Sequence, residues 1–136
     1  MRKRTNGEKA LAAAGARPAA REISVFARLM GLKTISPLAL HEEMRSGMCS
    51  IIDVNPRIVW MQAHVPGASN LDPNYEESAL PPDKNAMLVF YCSNPMCRKA
   101  PNAARRAKKI GYENVVAMSA GISGWLAAQL PTESDE

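Results

Sequence analysis

An apolar run, Met87-Leu-Val-Phe-Tyr91, ends abruptly on Cys92. The polar loop Ser93-Asn-Pro-Met-Cys-Arg98 then leads to Pro101 and a helical segment that closes at Gly111. A strand feeding a tight loop feeding a helix N-terminus is an anion cradle, because backbone N–H groups converge there and the helix dipole adds partial positive charge. A cysteine at its mouth is expected to have a depressed pKa and to react as a thiolate. The blander reading of Cys92 is an inert small hydrophobe at a strand end, and the polar loop and following helix argue against it. Arg98 is expected to grip an anion; the alternative is a solvated first-turn residue. Cys97 is read as a loop-lining residue or as a resolving thiol, since five residues on a curled loop can bring two sulfurs into reach.

Other candidates are weaker. Asp53 ends the short apolar strand Ser50–Val54, where a carboxylate holds neighbouring loops by hydrogen bonds or supports a site. His64, before Val-Pro-Gly, fixes a turn more readily than it moves a proton. Trp125 reads as core packing. His41 and Cys49 have no partner in the sequence. Two cysteines on one loop, with no second pair, do not complete a zinc site, so no metal or cofactor is expected.

The elements that must position Cys92 alternate. Thr34-Ile35 starts a strand. Ser36 caps a helix with Pro37 in its first turn, and Leu38, Leu40 and Met44 are expected inward. Strands follow at 50–54, 87–91 and 115–118. Helical segments follow at 58–62, 101–110 and 123–129, and the stretch Asp72–Lys84 is loop-rich. Alternation of this kind predicts an α/β fold, a parallel sheet of about five strands with helices on both faces. In such sheets ligands bind at the carboxyl ends of strands, where Cys92 and Asp53 both fall.

At 136 residues the chain fits one domain with tails, and at 46% apolar but 5% aromatic its core is expected to be aliphatic. The net charge of +4 is unevenly placed: residues 1–21 hold six basic groups against Glu8 alone, and the remainder is nearly balanced. The basic character therefore belongs to a tail. With no stacking aromatics among those charges, nucleic acid is not an expected partner. Residues 1–21 read as a flexible basic tail, 22–33 as an extra helix with Gly31 as its stop, 34–131 as the domain, and 132–136 as a frayed acidic tail. No 18-residue apolar run exists, so no transmembrane segment is expected. Three cysteines cannot form a disulfide framework, which suits a reducing compartment, the cytoplasm.

Five fragments occur in order over 34–131: Ile51-Ile-Asp-Val54, His64-Val-Pro-Gly-Ala68, Val89-Phe-Tyr-Cys92, Gly111-Tyr-Glu-Asn-Val115 and Ala120-Gly-Ile-Ser-Gly-Trp125. Together they resemble the rhodanese-like (sulfurtransferase) family. The resemblance implies a Cys92 persulfide, held by the N–H groups of Ser93, Asn94, Met96, Cys97 and Arg98 in a loop stiffened by Pro95. It also implies a small anionic donor such as thiosulfate and a thiol, protein thiol or cyanide acceptor. Two features depart from the common pattern. The arginine of the loop falls one place late and the loop lacks glycine, so Cys92-x5-Arg98 also resembles phosphatases and arsenate reductases built on this scaffold. The arginine usual after the Asp-Val pair is replaced by Asn55, with Arg57 as a substitute. A non-catalytic binding module is the third reading. The basic residues from Arg98 to Lys109 either steer anions to the loop or form a plain charged face.

Overall fold

A computed structural model of the chain describes residues 31–135. The basic tail 1–21 and nearly all of the 22–33 helix lie outside the described residues. At its end, Gly31 is left-handed and Lys33 already belongs to a strand, so residues 32–33 are not helical.

Five strands run in chain order as β1 (Lys33–Thr34), β2 (Cys49–Asp53), β3 (Ser69–Asn70), β4 (Met87–Tyr91) and β5 (Val115–Ala117). All pair in parallel in the order β1-β5-β4-β2-β3. The helices are α1 (Pro37–Glu43), α2 (Arg57–Gln62), α3 (Lys99–Ile110) and α4 (Gly121–Ala127), with single 3-10 turns at Met44–Ser46 and Glu77–Ala79. The chain leaves β2 toward one edge of the sheet and leaves β4 toward the other. The crevice between their carboxyl ends is thus the switch point at which such sheets bind ligands.

Strand alternation divides β4 between two cores. Leu88 and Phe90, continued by Cys92, face the α3 side with Ile52 and Val54; Val89 and Tyr91 face α1 and α4 with Leu40, Met118 and Trp125. Helices therefore cover both faces, as the alternation predicts. Helix α3 buries Ala100, Ala103, Ala104 and Ala107, and these small side chains let it lie close on β4. The opposite core is bulkier: Trp125 is fully buried, its indole N–H donating to Pro131 O at 2.7 Å. Full burial of a side chain such as Phe90 is worth about 1.5–3 kcal/mol. The core is not purely aliphatic. Tyr75, Phe90, Tyr91, Tyr112 and Trp125 are all buried, so the few aromatics are concentrated inside.

Local signals held where the backbone decides them. Ser36 Oγ accepts from Ala39 N at 3.1 Å, and Gly111 ends α3 at φ 123. Leu38, expected inward, is 65% exposed, because α1 turns only Leu40 fully into the core. Helix α3 begins at Lys99 and not at Pro101. Pro101 is accommodated in the first turn, where a backbone N–H has no helical partner in any case. The segment from Thr132 to Asp135 is not frayed. His64 and Glu133 exchange two backbone hydrogen bonds of 2.9 Å, Gly67 N donates to Glu133 Oε1 at 3.0 Å, and Asp135 N donates to Met61 O at 2.8 Å. Acidic composition suggested a solvated end, but the Glu133 and Asp135 amides pair with carbonyls at and just beyond the end of α2.

Candidate active site

The loop 92–98 is held from two sides. On one, Ile122 N and Ser123 N donate to the carbonyls of Cys92 (2.9 Å) and Ser93 (3.0 Å), so the start of α4 grips the start of the loop. This grip requires Gly121. Its φ is +69, and a Cβ there would stand 2.5 Å from Ser93 C and 2.6 Å from Asn94 N. On the other side α3 leads away with Arg98 as its N-cap and no side-chain cap. Its first amides therefore remain available, and they go to sulfur. Ala100 N–H and Ser93 N–H point at Cys92 Sγ, while Lys99 N–H and Ser93 N–H point at Cys97 Sγ.

The middle of the loop does not join this cradle. Asn94 folds over it as a turn: its Oδ1 accepts Met96 N–H at 2.9 Å and its carbonyl accepts Cys97 N–H at 3.1 Å. Pro95 has no N–H, and Met96 points outward, 74% exposed. The expected ring of amides from Ser93 to Arg98 is therefore replaced by Ser93 plus the first turn of α3. Arg98 is exposed, and its carbonyl accepts Asn102 N–H at 3.0 Å.

The thiols differ from expectation. Cys92 is only 3% exposed, and its S–H points to Cys97, lying 3.7 Å from that residue's carbonyl oxygen. Burial, then the hydrogen bond to Cys97, pushes the Cys92 thiol up to about 12 against the lowering pull of the Ala100 and Ser93 amides. A depressed Cys92 pKa is thus corrected for this resting loop: desolvation outweighs two amides. Cys97 is half-buried. Burial raises its thiol, but the Cys92 hydrogen bond and the Lys99 and Ser93 donors together bring it below the ordinary value. The more acidic sulfur of the pair is the outer one.

At the neighbouring strand end, Asp53 is fully buried and its carboxyl is raised, chiefly by burial. Asn55 N donates to Asp53 Oδ1 at 2.7 Å, and the Tyr91 hydroxyl, which accepts Val65 N at 3.0 Å, lies beside the carboxyl. Asn70 Nδ2 ties the backbone carbonyls of Asp53 (3.0 Å) and Asn55 (2.9 Å). Arg57 is exposed and stacks 5.7 Å from the centre of the Trp60 ring. With Asn55, Asn70, Asp72 and Lys99 it lines a cleft of about 350 Å³. Lys99 and Pro73 also border a second cleft of about 390 Å³ flanked by Arg105, Arg106 and Lys109. Neither cleft is lined by a thiol. His64 stacks on Trp60 at 4.2 Å, its Nδ1 meets Trp60 O at 2.7 Å, and its Nε2 faces Glu133 Oε1 at 3.7 Å; these contacts fix a turn. Among the described residues no cluster of metal-ligating side chains is present, and no helix is long and apolar enough to cross a membrane.

Residues 36–128 match the model of the Rhodanese-like domain family. The chain belongs to this family. A relative is the thiosulfate sulfurtransferase GlpE of Haemophilus influenzae, 28% identical over 109 residues that span 77% of this chain and 98% of that protein. A thiosulfate sulfurtransferase from Pseudomonas aeruginosa superposes with a TM-score of 0.68 at 25% identity, covering 76% of this chain and 19% of that one. A Rhodopseudomonas palustris protein whose name gives it as a possible tyrosine phosphatase superposes with a TM-score of 0.65 at 19% identity, covering 90% of this chain and 99% of that one. The last shares the fold. The rhodanese-like domain thus presents a dithiol loop at its switch point. The residue that reasoning from motifs left without a role there is Gly121. Its signal was a glycine at a strand-to-helix junction, which marks close backbone approach.

Proposed function

We propose that this rhodanese-like domain is a sulfurtransferase that moves sulfane sulfur from a thiosulfate-class donor to a thiol, with Cys92 carrying the sulfur as a persulfide. The observation that carries this reading is the pair of N–H groups, Ser93 and Ala100, aimed at a cysteine sulfur at the end of β4. Peptide dipoles so placed stabilise an anionic sulfur without reorganising. They suit a persulfide better than the resting thiol, since the persulfide is the more acidic group. Cys92 donates its hydrogen bond toward Cys97, the more acidic thiol, so Cys97 is placed to take the Cys92 proton as attack begins. The Cys92 sulfur then bonds to the outer sulfur of thiosulfate, and sulfite leaves with the electron pair of the broken S–S bond. An acceptor thiolate or cyanide removes the sulfur from the persulfide. Arg98 and the basic edge of α3 attract the anionic donor. A domain with three free cysteines fits a reducing compartment such as the cytoplasm.

The oxyanion reading, a phosphatase or arsenate reductase on Cys92-x5-Arg98, needs the mid-loop amides on the anion. Those of Met96 and Cys97 are taken by Asn94, which weighs against it. Replacing Cys92 by Ser is expected to lower thiosulfate-dependent thiocyanate formation by at least ~10³-fold. Full activity in that variant, or arylphosphate hydrolysis or arsenate reduction faster than sulfur transfer in the parent protein, overturns the proposal.

A further inference from the structure

The loop folds Cys97 onto Cys92, whose Sγ lies 3.7 Å from the Cys97 carbonyl oxygen, and the two thiols sit at different depths. Cys92 is 3% exposed, whereas Cys97 is half-buried and the more accessible of the two. The contact is built by the Asn94 turn. The Asn94 carbonyl and side chain take the N–H groups of Cys97 and Met96, folding Cys97 back so that its carbonyl lies 3.7 Å from Cys92 Sγ and the two thiols hydrogen-bond. Lys99 and Ser93 amides support Cys97 as a thiolate, and its thiol is shifted downward while that of its neighbour is shifted upward. An external acceptor must reach a sulfur attached to the deeper residue. Cys97 is already there, and an oriented intramolecular nucleophile acts at an effective concentration no free thiol matches.

The geometry points to Cys97 as the resolving thiol of this loop: it attacks Cys92 Sγ of the persulfide, closes a Cys92–Cys97 disulfide and releases the sulfane sulfur as hydrosulfide. This step rests on the Cys92 persulfide proposed above. Cys97 passes the proton it took from Cys92 to the outer sulfur of the persulfide, and so enters as the thiolate against the neutral S–SH form. The Cys92–Cys97 S–S bond forms, the bond from Cys92 to the sulfane sulfur breaks, and HS⁻ leaves with that electron pair and its proton. Each cysteine sulfur gives up one electron and the sulfane sulfur gains two. A dithiol reductant reopens the disulfide by ordinary thiol–disulfide exchange. Where Cys97 acts before cyanide or an external thiol takes the sulfur, the reductant class is a dithiol, and the products of a thiosulfate-class donor are sulfite plus sulfide.

The full chain, reduced and freed of reductant, is incubated with thiosulfate alone and measured by intact mass and sulfide release. The parent protein is expected to lose ~2 Da, to release about one equivalent of sulfide, and to yield a Cys92–Cys97 disulfide by peptide mapping. Cys97→Ser, and independently Cys97→Ala, are expected instead to gain about 32 Da on Cys92, more slowly than the parent reacts because the proton acceptor is gone, and to hold that gain without releasing sulfide. A parent protein that keeps the added sulfur while Cys97 still takes up iodoacetamide overturns the resolving role and leaves the persulfide standing. If neither the parent nor the Cys97 variants gain sulfur or release sulfide, the persulfide reading falls and the resolving step with it.

Discussion

Two neighbouring strand ends of this sheet each bury an ionisable group, and they use it differently. Asp53 at the end of β2 and Cys92 just beyond β4 both lie in the dry crevice, and burial raises both. The surroundings of Asp53 are supplied by the fold itself: the Asn55 amide bonds its carboxyl, the Tyr91 hydroxyl lies alongside, and Asn70 ties the backbone. The partners of Cys92 are the amides of Ser93 and of the uncapped start of α3, and a second thiol whose own pKa is shifted downward. One buried acid fastens β2 to its surroundings. The other has the Ser93 and Ala100 amides and a second thiol beside its sulfur, the arrangement on which the proposed sulfur transfer rests. A buried titratable group is a structural tie where fixed internal groups surround it. It becomes a reactive centre where its donors await an anion and a proton acceptor stands beside it.

The contrast is broken most severely at Gly121. Gly121→Ala places a methyl into the Ser93 backbone at a left-handed φ. It is expected to cost about 2–4 kcal/mol of stability and to reduce sulfur transfer by roughly 100-fold, read by urea unfolding and thiocyanate formation. Smaller effects with unchanged activity would show that the loop does not depend on the α4 grip.

The order of thiol reactivity sharpens the comparison next. Because Cys97 is lowered and Cys92 raised, iodoacetamide at neutral pH is expected to label Cys97 roughly tenfold or more faster than Cys92. Peptide mapping over time reads the ratio. Equal rates would mean that the two sulfurs share one environment.

Asp53 tests the structural half. Burial holds its folded pKa above the ordinary aspartate value, so the native state favours the protonated carboxyl. Its contribution is fully present below that value and is lost as pH rises through the folded pKa. Stability of the parent protein is therefore expected to carry a downward component over that window, which Asp53→Asn removes. Urea midpoints measured across it check the slope, and a variant with the same slope as the parent contradicts the assignment. Smallest is the clamp far from the thiols. Glu133→Ala deletes the Gly67 contact and the His64 pair. It is expected to lower stability by about 0.5–1 kcal/mol with sulfur transfer unchanged, since the pair is exposed on one side.

Much of the architecture was legible along the chain. Strand β4, the Ser36 cap, the Gly111 stop and the alternation that gives a parallel sheet are local patterns of residues near one another in sequence. So was the position of Cys92, because an apolar strand ending in a polar loop before a helix names its own carboxyl end. The errors fall where distant segments decide. Leu38 faces out because one face of α1 meets the sheet and only Leu40 occupies it. The acidic terminus is ordered by backbone groups around His64. The Cys92 pKa is reversed because Cys97 and the alanines of α3 seal the sulfur from water, and the residue spacing carries no measure of dryness.

The sequence by itself determined which residues stand at the sheet's carboxyl edge and which helices flank them, since periodicity, caps and breakers act within a few residues. Only the tertiary structure decided which of two thiols is the more acidic and which glycine holds their loop. Desolvation and close backbone approach depend on what packs around an atom, and in this chain those neighbours arrive from α3 and α4.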